Sequence, residues 1–82
     1  MNTDIKVYGA DWCGDCRRAK RVLDRLGTPY EWIDVDVIAG AAQEAHRISG
    51  RKNIPVVVLP DDEILVEPSD AALEEALLRR PA

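Results

Sequence analysis

The 82-residue sequence predicts an α/β fold: one mixed four-stranded sheet with three helices packed on it, in the order βαβ–α–ββα. Short runs with strand character alternate with segments whose apolar residues recur at helical spacing. Turn-forming residues stand at the junctions, at Gly9, Gly27, Pro29 and Gly50. Val56-Val57-Val58-Leu59 is apolar throughout, as expected of a strand covered on both faces. The length suits one small domain over residues 1–82, burying a little over ~60% of its unfolded surface.

The elements follow in order. Ile5-Lys6-Val7-Tyr8 reads as a strand that Gly9 breaks. From Cys16 onward, Ala19, Val22, Leu23 and Leu26 form a helical stripe, with the basic residues left towards solvent. Gly27 suits the left-handed position after a helix, and Pro29 prevents continuation. Residues 30–37 read as a second strand, with Ile33, Val35 and Val37 on one face and Trp32 and Asp34 on the other. Tyr30 and Trp32 are expected in the core or on the sheet face. Ile38, Ala41, Ala45 and Ile48 make the stripe of a second helix, which Gly50 ends. The third strand is 56–59; a turn at Asp61-Asp62 leads into a fourth, 63–66. Ser69 caps a last helix with the stripe Leu73, Ala76, Leu77 and Arg80.

Composition narrows the function classes. No apolar run approaches the ~20 residues needed to span a bilayer, so no membrane partner is expected. Met1-Asn2-Thr3-Asp4 lacks the basic start and apolar stretch of a secretory signal. The expectation is a cytoplasmic monomer with reduced thiols, where a permanent structural disulfide would be unusual. The net charge of −4 argues against nucleic acid as a partner. That charge is uneven: Arg17, Arg18, Lys20, Arg21 and Arg25 follow the cysteines, and acids dominate from Asp61 to Glu75.

The only two cysteines lie in Trp12-Cys13-Gly14-Asp15-Cys16, between the first strand and the first helix. Thiols at this spacing can close a disulfide ring. Cys13 sits where unpaired helix amides favour a negative charge and so the thiolate, the reactive form of a thiol whose free pKa is ~8.5. Cys16, one turn further on, is expected to be less exposed and placed to attack a mixed disulfide on Cys13. Gly14 would keep space beside the attacking sulfur and ease the turn. The alternative, half of a zinc site, runs short of ligands: zinc usually takes four, and the chain has two cysteines and a distant His46, which reads as a surface residue. A redox dithiol is the expectation, with no metal site.

The element order, the length, the CxxC after the first strand and Ile54-Pro55 before the third together resemble the thioredoxin superfamily in its short, glutaredoxin-type form. Thioredoxins proper carry an extra strand and helix for which 82 residues leave no room. Trp12-Cys13-Gly14-x-Cys16, Asn53-Ile54-Pro55 and Pro68-Ser69 resemble mycoredoxins, glutaredoxin-like proteins of bacteria that use mycothiol. The resemblance implies a thiol–disulfide oxidoreductase acting on oxidised or thiolated proteins. It would hold no tightly bound cofactor, and its electrons would come from a low-molecular-weight thiol, mycothiol or glutathione. It also implies a cis Pro55 facing the cysteines and an Ile54 backbone free to pair with substrate. Trp12 would join the docking surface, and Ser69 and Asp70 would offer a helix start to an anion.

Three departures from that family pattern matter. Glu67-Pro68 replaces the Gly-Gly pair common before the last helix of glutathione-using glutaredoxins, adding a charge and removing an N–H donor. Asp15 stands where relatives carry Pro, Tyr or Phe, and its carboxylate should oppose ionisation of Cys13 while stabilising the first helical turn. Ala10 stands where many glutaredoxins have a lysine, leaving Lys52 as the cation to meet a substrate carboxylate. Two alternatives follow from the same resemblance. One is a thioredoxin-like donor, such as a redoxin serving a ribonucleotide reductase and recharged by a flavoprotein reductase. The other is an iron–sulfur carrier in which two copies bridge a cluster through Cys13 and external thiols.

Overall fold

A computed structural model describes residues 5–79. Four strands and three helices follow in the expected order: β1 (Lys6–Gly9), α1 (Gly14–Arg25), β2 (Glu31–Asp34), α2 (Ala41–Ser49), β3 (Val56–Val58), β4 (Ile64–Val66) and α3 (Asp70–Leu78). The sheet order is β2-β1-β3-β4. β1 runs parallel to β2 and antiparallel to β3, and β4 returns antiparallel to β3.

Side-chain alternation along the central strands builds two cores. On one face Ile5, Val7, Val57 and Leu59 meet Ala19, Val22 and Leu23 of α1 and Leu73 and Ala76 of α3. On the other, Tyr8 and Val56 meet Ala45 of α2, with Ile33, Val35, Ile48 and Val58 packed around them. β3 is thus covered on both sides, which explains its unbroken apolar run. Trp32 and Tyr30 pack against the first core. Ion pairs reinforce the α1–α3 layer at its surface, between Arg25 and Glu74 and between Arg18 and Asp70. Arg79 reaches Glu63 at 3.8 Å across the far end.

Several boundaries differ from the sequence reading. β2 ends at Asp34, where its partner β1 ends at Gly9. Beyond that point the chain turns: the Asp36 amide donates to the Asp34 carboxylate at 2.9 Å, and the Val37 and Ile38 amides donate to the Asp34 carbonyl. Val37 therefore does not continue the Ile33–Val35 face, and Ile38 does not open α2. They are 77% and 48% exposed. α2 begins at Ala41, after Gly40 in a left-handed conformation. β3 and β4 are each one residue shorter than expected, although the buried Leu59 still donates its amide to Glu63 at 2.9 Å. α1 begins at Gly14, before Cys16. Ser69 caps α3 as expected, its hydroxyl accepting from the Ala72 amide at 3.0 Å. Arg80 lies outside the described residues. No helix among the described residues is long and apolar enough to cross a membrane.

Gly9 does more than end a strand. It is the last paired residue of β1, and a Cβ built there would lie 2.7 Å from the Cys16 sulfur and 2.7 Å from the edge of the Trp32 ring. The glycine is required because two side chains close over its backbone. Gly9→Ala should destabilise the protein by about 1–2 kcal/mol, since overpacking outweighs the modest strand preference of alanine. Urea unfolding of the reduced protein measures this, and an unchanged midpoint would show that the ring and sulfur simply step aside.

Candidate active site

The end of β1 and the start of α1 hold the two cysteines. After β1 the chain turns at Asp11-Trp12, and the Cys13 amide donates back to the Ala10 carbonyl at 3.1 Å. Cys13 is the N-cap of α1, with extended backbone, and its sulfur accepts from the Cys16 amide at 3.4 Å. A sulfur in the capping position faces the unsatisfied amides of the first turn, where negative charge is stabilised. Cys13 is half-buried and reachable, while Cys16 has no exposed surface. Both thiols are free.

The two sulfurs are thereby made unequal. Burial pushes the Cys16 thiol up from an ordinary 9.0 to about 12, helped by its hydrogen bond with Cys13 and by the charges of Cys13 and Asp15; a contact with the Ala10 backbone opposes the rise. Cys16 keeps its proton at neutral pH.

The other residues expected at the site fall into three groups. The Ile54–Pro55 peptide is cis, and the Cys13 thiol donates to the Ile54 carbonyl at a long 4.0 Å. Trp12 is 69% exposed, and its indole N–H donates to Asp36 at 2.7 Å. With Lys52, Asn53 and Ile54 it lines a groove of about 390 Å³ that runs along α2. His46 lines the same groove, so it belongs beside the site although it lies far from the cysteines in sequence. Gly14 is exposed, and a Cβ there would meet nothing within 4 Å. Its backbone is not left-handed, so the turn itself makes no demand for glycine.

Asp15, Ser69 and Asp70 form the third group. Arg18 donates to Asp15 at 2.7 Å and to Asp70 at 3.3 Å, so one guanidinium joins the first turns of α1 and α3. Asp15 therefore does not stand as an uncompensated charge, and Asp70 is already engaged. The Ser69 hydroxyl serves its own helix. In front of them Glu67 adopts a left-handed conformation, donates its amide to Pro55 at 2.9 Å and accepts from Asn53 at 3.1 Å.

Several contributors carry no signal in the sequence. Asp36 anchors Trp12 across 24 positions, a distance at which no local pattern speaks. Arg17 and Lys20 read from sequence as part of a solvated basic face. Yet Arg17 donates to the Asp11 carbonyl at 2.9 Å, bracing the turn before Cys13, and Lys20 lies 4.1 Å over the Trp32 ring. Ala10 is fully buried. Among the described residues no three His, Cys, Asp or Glu side chains form a group able to hold a metal.

Two outcomes follow for the thiols. At pH 7.5 iodoacetamide should label Cys13 and leave Cys16 unlabelled, which peptide mass mapping resolves; equal labelling would contradict the division. The raised Cys16 pKa also makes stability pH-dependent. Between about 9 and 12 the folded state keeps a proton that the unfolded chain loses, so this contribution is complete below pH 9 and is lost as pH rises through that window. Comparing reduced wild type with Cys16→Ala in urea from pH 7 to 10.5, the difference in stability should shift against wild type above pH 9.

The sequence matches the glutaredoxin family over residues 5–64. It is 37% identical to the glutaredoxin-like protein NrdH of Escherichia coli K12 over 57 residues, 70% of this chain and 69% of that one. The fold superimposes on the solved glutaredoxin of Archaeoglobus fulgidus with a TM-score of 0.81 and 29% identity, covering 92% of this chain and 86% of the other. It superimposes on the E. coli NrdH-redoxin, whose structure was described for its thioredoxin-like activity profile, with a TM-score of 0.76 and 28% identity over 96% and 97% of the two chains. With its four-stranded sheet, its CxxC at the mouth of α1 and a match over most of its length, the chain belongs to the glutaredoxin family.

Proposed function

We propose that this protein is a cytoplasmic thiol–disulfide oxidoreductase of the NrdH-redoxin kind. It reduces disulfides in partner proteins, such as a ribonucleotide reductase, and is recharged by a flavoprotein reductase. The observation that carries the reaction is the division of labour between a reachable Cys13 at the helix cap and a protonated, fully buried Cys16.

In the first step the Cys13 thiolate attacks one sulfur of the substrate disulfide. A Cys13–substrate bond forms, the substrate S–S bond breaks, and the departing thiolate takes up a proton. Two of the influences that hold the Cys16 proton come from Cys13, as a hydrogen-bond partner and as a charge. Once Cys13 is bonded to substrate its charge is lost and its sulfur becomes a weaker acceptor. Cys16 then attacks the Cys13 sulfur: a Cys13–Cys16 bond forms, the Cys13–substrate bond breaks, and the proton released by Cys16 is balanced by the one the departing substrate thiolate takes up. The substrate gains two electrons, the Cys13–Cys16 pair loses two, and the reductase supplies two to restore the dithiol.

The choice of reductant rests on the segment before α3. Glutathione carries carboxylates, and here Glu67 adds a negative charge, Pro68 lacks an N–H, the Glu67 amide is spent on Pro55 and Arg18 is engaged by Asp15 and Asp70. The 37% identity with a protein named NrdH supports the same choice. A mycothiol-linked cycle, which the mycoredoxin-like strings imply, makes the opposite forecast in one experiment.

In that experiment the oxidised protein is offered NADPH with thioredoxin reductase, glutathione with its reductase, or mycothiol with its reductase. Thiols should return at least about tenfold faster with thioredoxin reductase. Faster recovery with mycothiol would replace this reading by the mycoredoxin one. Cys16→Ser should accumulate a mixed disulfide on Cys13, visible by mass, whereas Cys13→Ser should be inactive; full activity in Cys13→Ser would end the proposal.

A further inference from the structure

We propose that Trp32 is a positioning residue for the second half of the reaction: its indole rim backs the Cys16 sulfur and keeps it aimed at Cys13. This rests on the oxidoreductase reading above and concerns the resolving step alone. Trp32 lies on β2 opposite Val7 of β1, and both belong to the sheet face that packs against α1 and α3. Two residues further along β1, on that same face, Gly9 leaves a gap. A Cβ built in the gap would meet the Cys16 sulfur at 2.7 Å, the Trp32 Cη2 at 2.7 Å and its Cζ3 at 3.0 Å. Sulfur and ring edge thus share a space too small for a methyl group. That sharing brings them into the range of a sulfur–aromatic edge contact, ~5 Å.

The helix that carries Cys16 holds the same ring a second time. Lys20 stands one turn after Cys16 on α1, and its ammonium lies 4.1 Å from the centre of the ring. Rim and face of one indole are therefore tied to successive turns of α1. The resolving step needs such a backing. Burial holds the Cys16 thiol at about 12, so no standing thiolate is available at neutral pH. The rate must come from placement, and a misplacement of ~1 Å can cost on the order of 10²-fold. The Cys13 sulfur already accepts the Cys16 amide at 3.4 Å, and the two sulfurs have to close to ~2.05 Å to bond. Gly9 and the Trp32 rim close the sheet side of the Cys16 sulfur, which blocks its retreat in that direction. Shortening Trp32 opens a space into which the sulfur can withdraw.

The test mixes reduced protein with a stoichiometric amount of dithiobis(nitrobenzoate), an aromatic disulfide whose thiolates are coloured. Cys13 attacks one sulfur: a mixed disulfide forms, the S–S bond of the reagent breaks and one coloured thiolate leaves. Cys16 then attacks the Cys13 sulfur: the Cys13–Cys16 bond forms, the second coloured thiolate leaves and the Cys16 proton passes to buffer. The dithiol loses two electrons and the reagent gains them. Stopped-flow absorbance separates the two releases. Trp32→Leu should slow the second release about tenfold and leave the first within about twofold. Trp32→Phe keeps a ring in the core but lacks the indole rim, and should slow the second release by about threefold. Circular dichroism and urea midpoints report folding; should Trp32→Leu fold poorly, Trp32→Phe decides the matter. A merely structural role would move both releases alike, or only the midpoint, and either result overturns the proposal. A second release that is unchanged or faster in both variants overturns it too, while a normal first release leaves the oxidoreductase reading standing. If the wild type gives no first release, that reading fails and this one falls with it.

Discussion

The close approach of the Cys16 sulfur to the backbone of Gly9 organises the rest of the molecule. It lets the first turn of α1 press against the end of β1 with nothing between, and it seals Cys16 from solvent. The same missing side chain admits the rim of Trp32, whose ring also carries the Lys20 ammonium. Because β1, like β3, contributes to both cores, the position of Cys16 inherits the rigidity of the sheet. The turn that carries Cys13 is in turn braced from outside by Arg17 on the Asp11 carbonyl and from the side by Trp12 on Asp36. The reactive sulfur thus stands on a scaffold fixed in three directions.

Charge divides the surroundings of that sulfur into two unlike sides. Towards α3, Arg18 is consumed between Asp15 and Asp70, and Glu67 is tied down through both its backbone and its side chain. Exposed pairs of this kind stabilise little, typically under ~1 kcal/mol each. Their effect here is to hold Arg18 within the protein's own network. Towards α2 the groove is lined by His46, Arg51 and Lys52 above an apolar floor. The two sides of the surface therefore differ in residue type and in what they leave available.

The elements are legible in the sequence because periodicity reports burial directly. The four-residue run from Val56, the stripe through Ala19, Val22 and Leu23, and the Ser69 cap each state a local demand that the fold meets. The strand pattern misleads at Val37, which alternates correctly but lies past the end of the only strand that could pair with it. Alternation says which face a residue would take, and not how far the neighbouring strand extends. At the site, the cysteines, Ile54 and Pro55 are legible through spacing and resemblance. Asp36, Arg18 and the groove position of His46 are not, since each depends on contacts between elements that the sheet order alone brings together. Gly9 reads as punctuation, but the crowding above it comes from Cys16 and Trp32, seven and 23 positions away by their numbers.

The helix cap and the nucleophile are the same atom, and this couples backbone structure to chemistry. In the free protein the Cys13 sulfur receives the Cys16 amide. A thiolate is the stronger acceptor for that amide, a thiol a weaker one, and a sulfur bonded to substrate or to Cys16 has a different direction and charge. Caps are typically worth about 0.5–2 kcal/mol, so each chemical state of Cys13 sets its own degree of fraying at the start of α1. In the proposed redox cycle the winding of this first turn would therefore follow the chemical state of Cys13, and the solvent exchange of the Cys16 amide would report it.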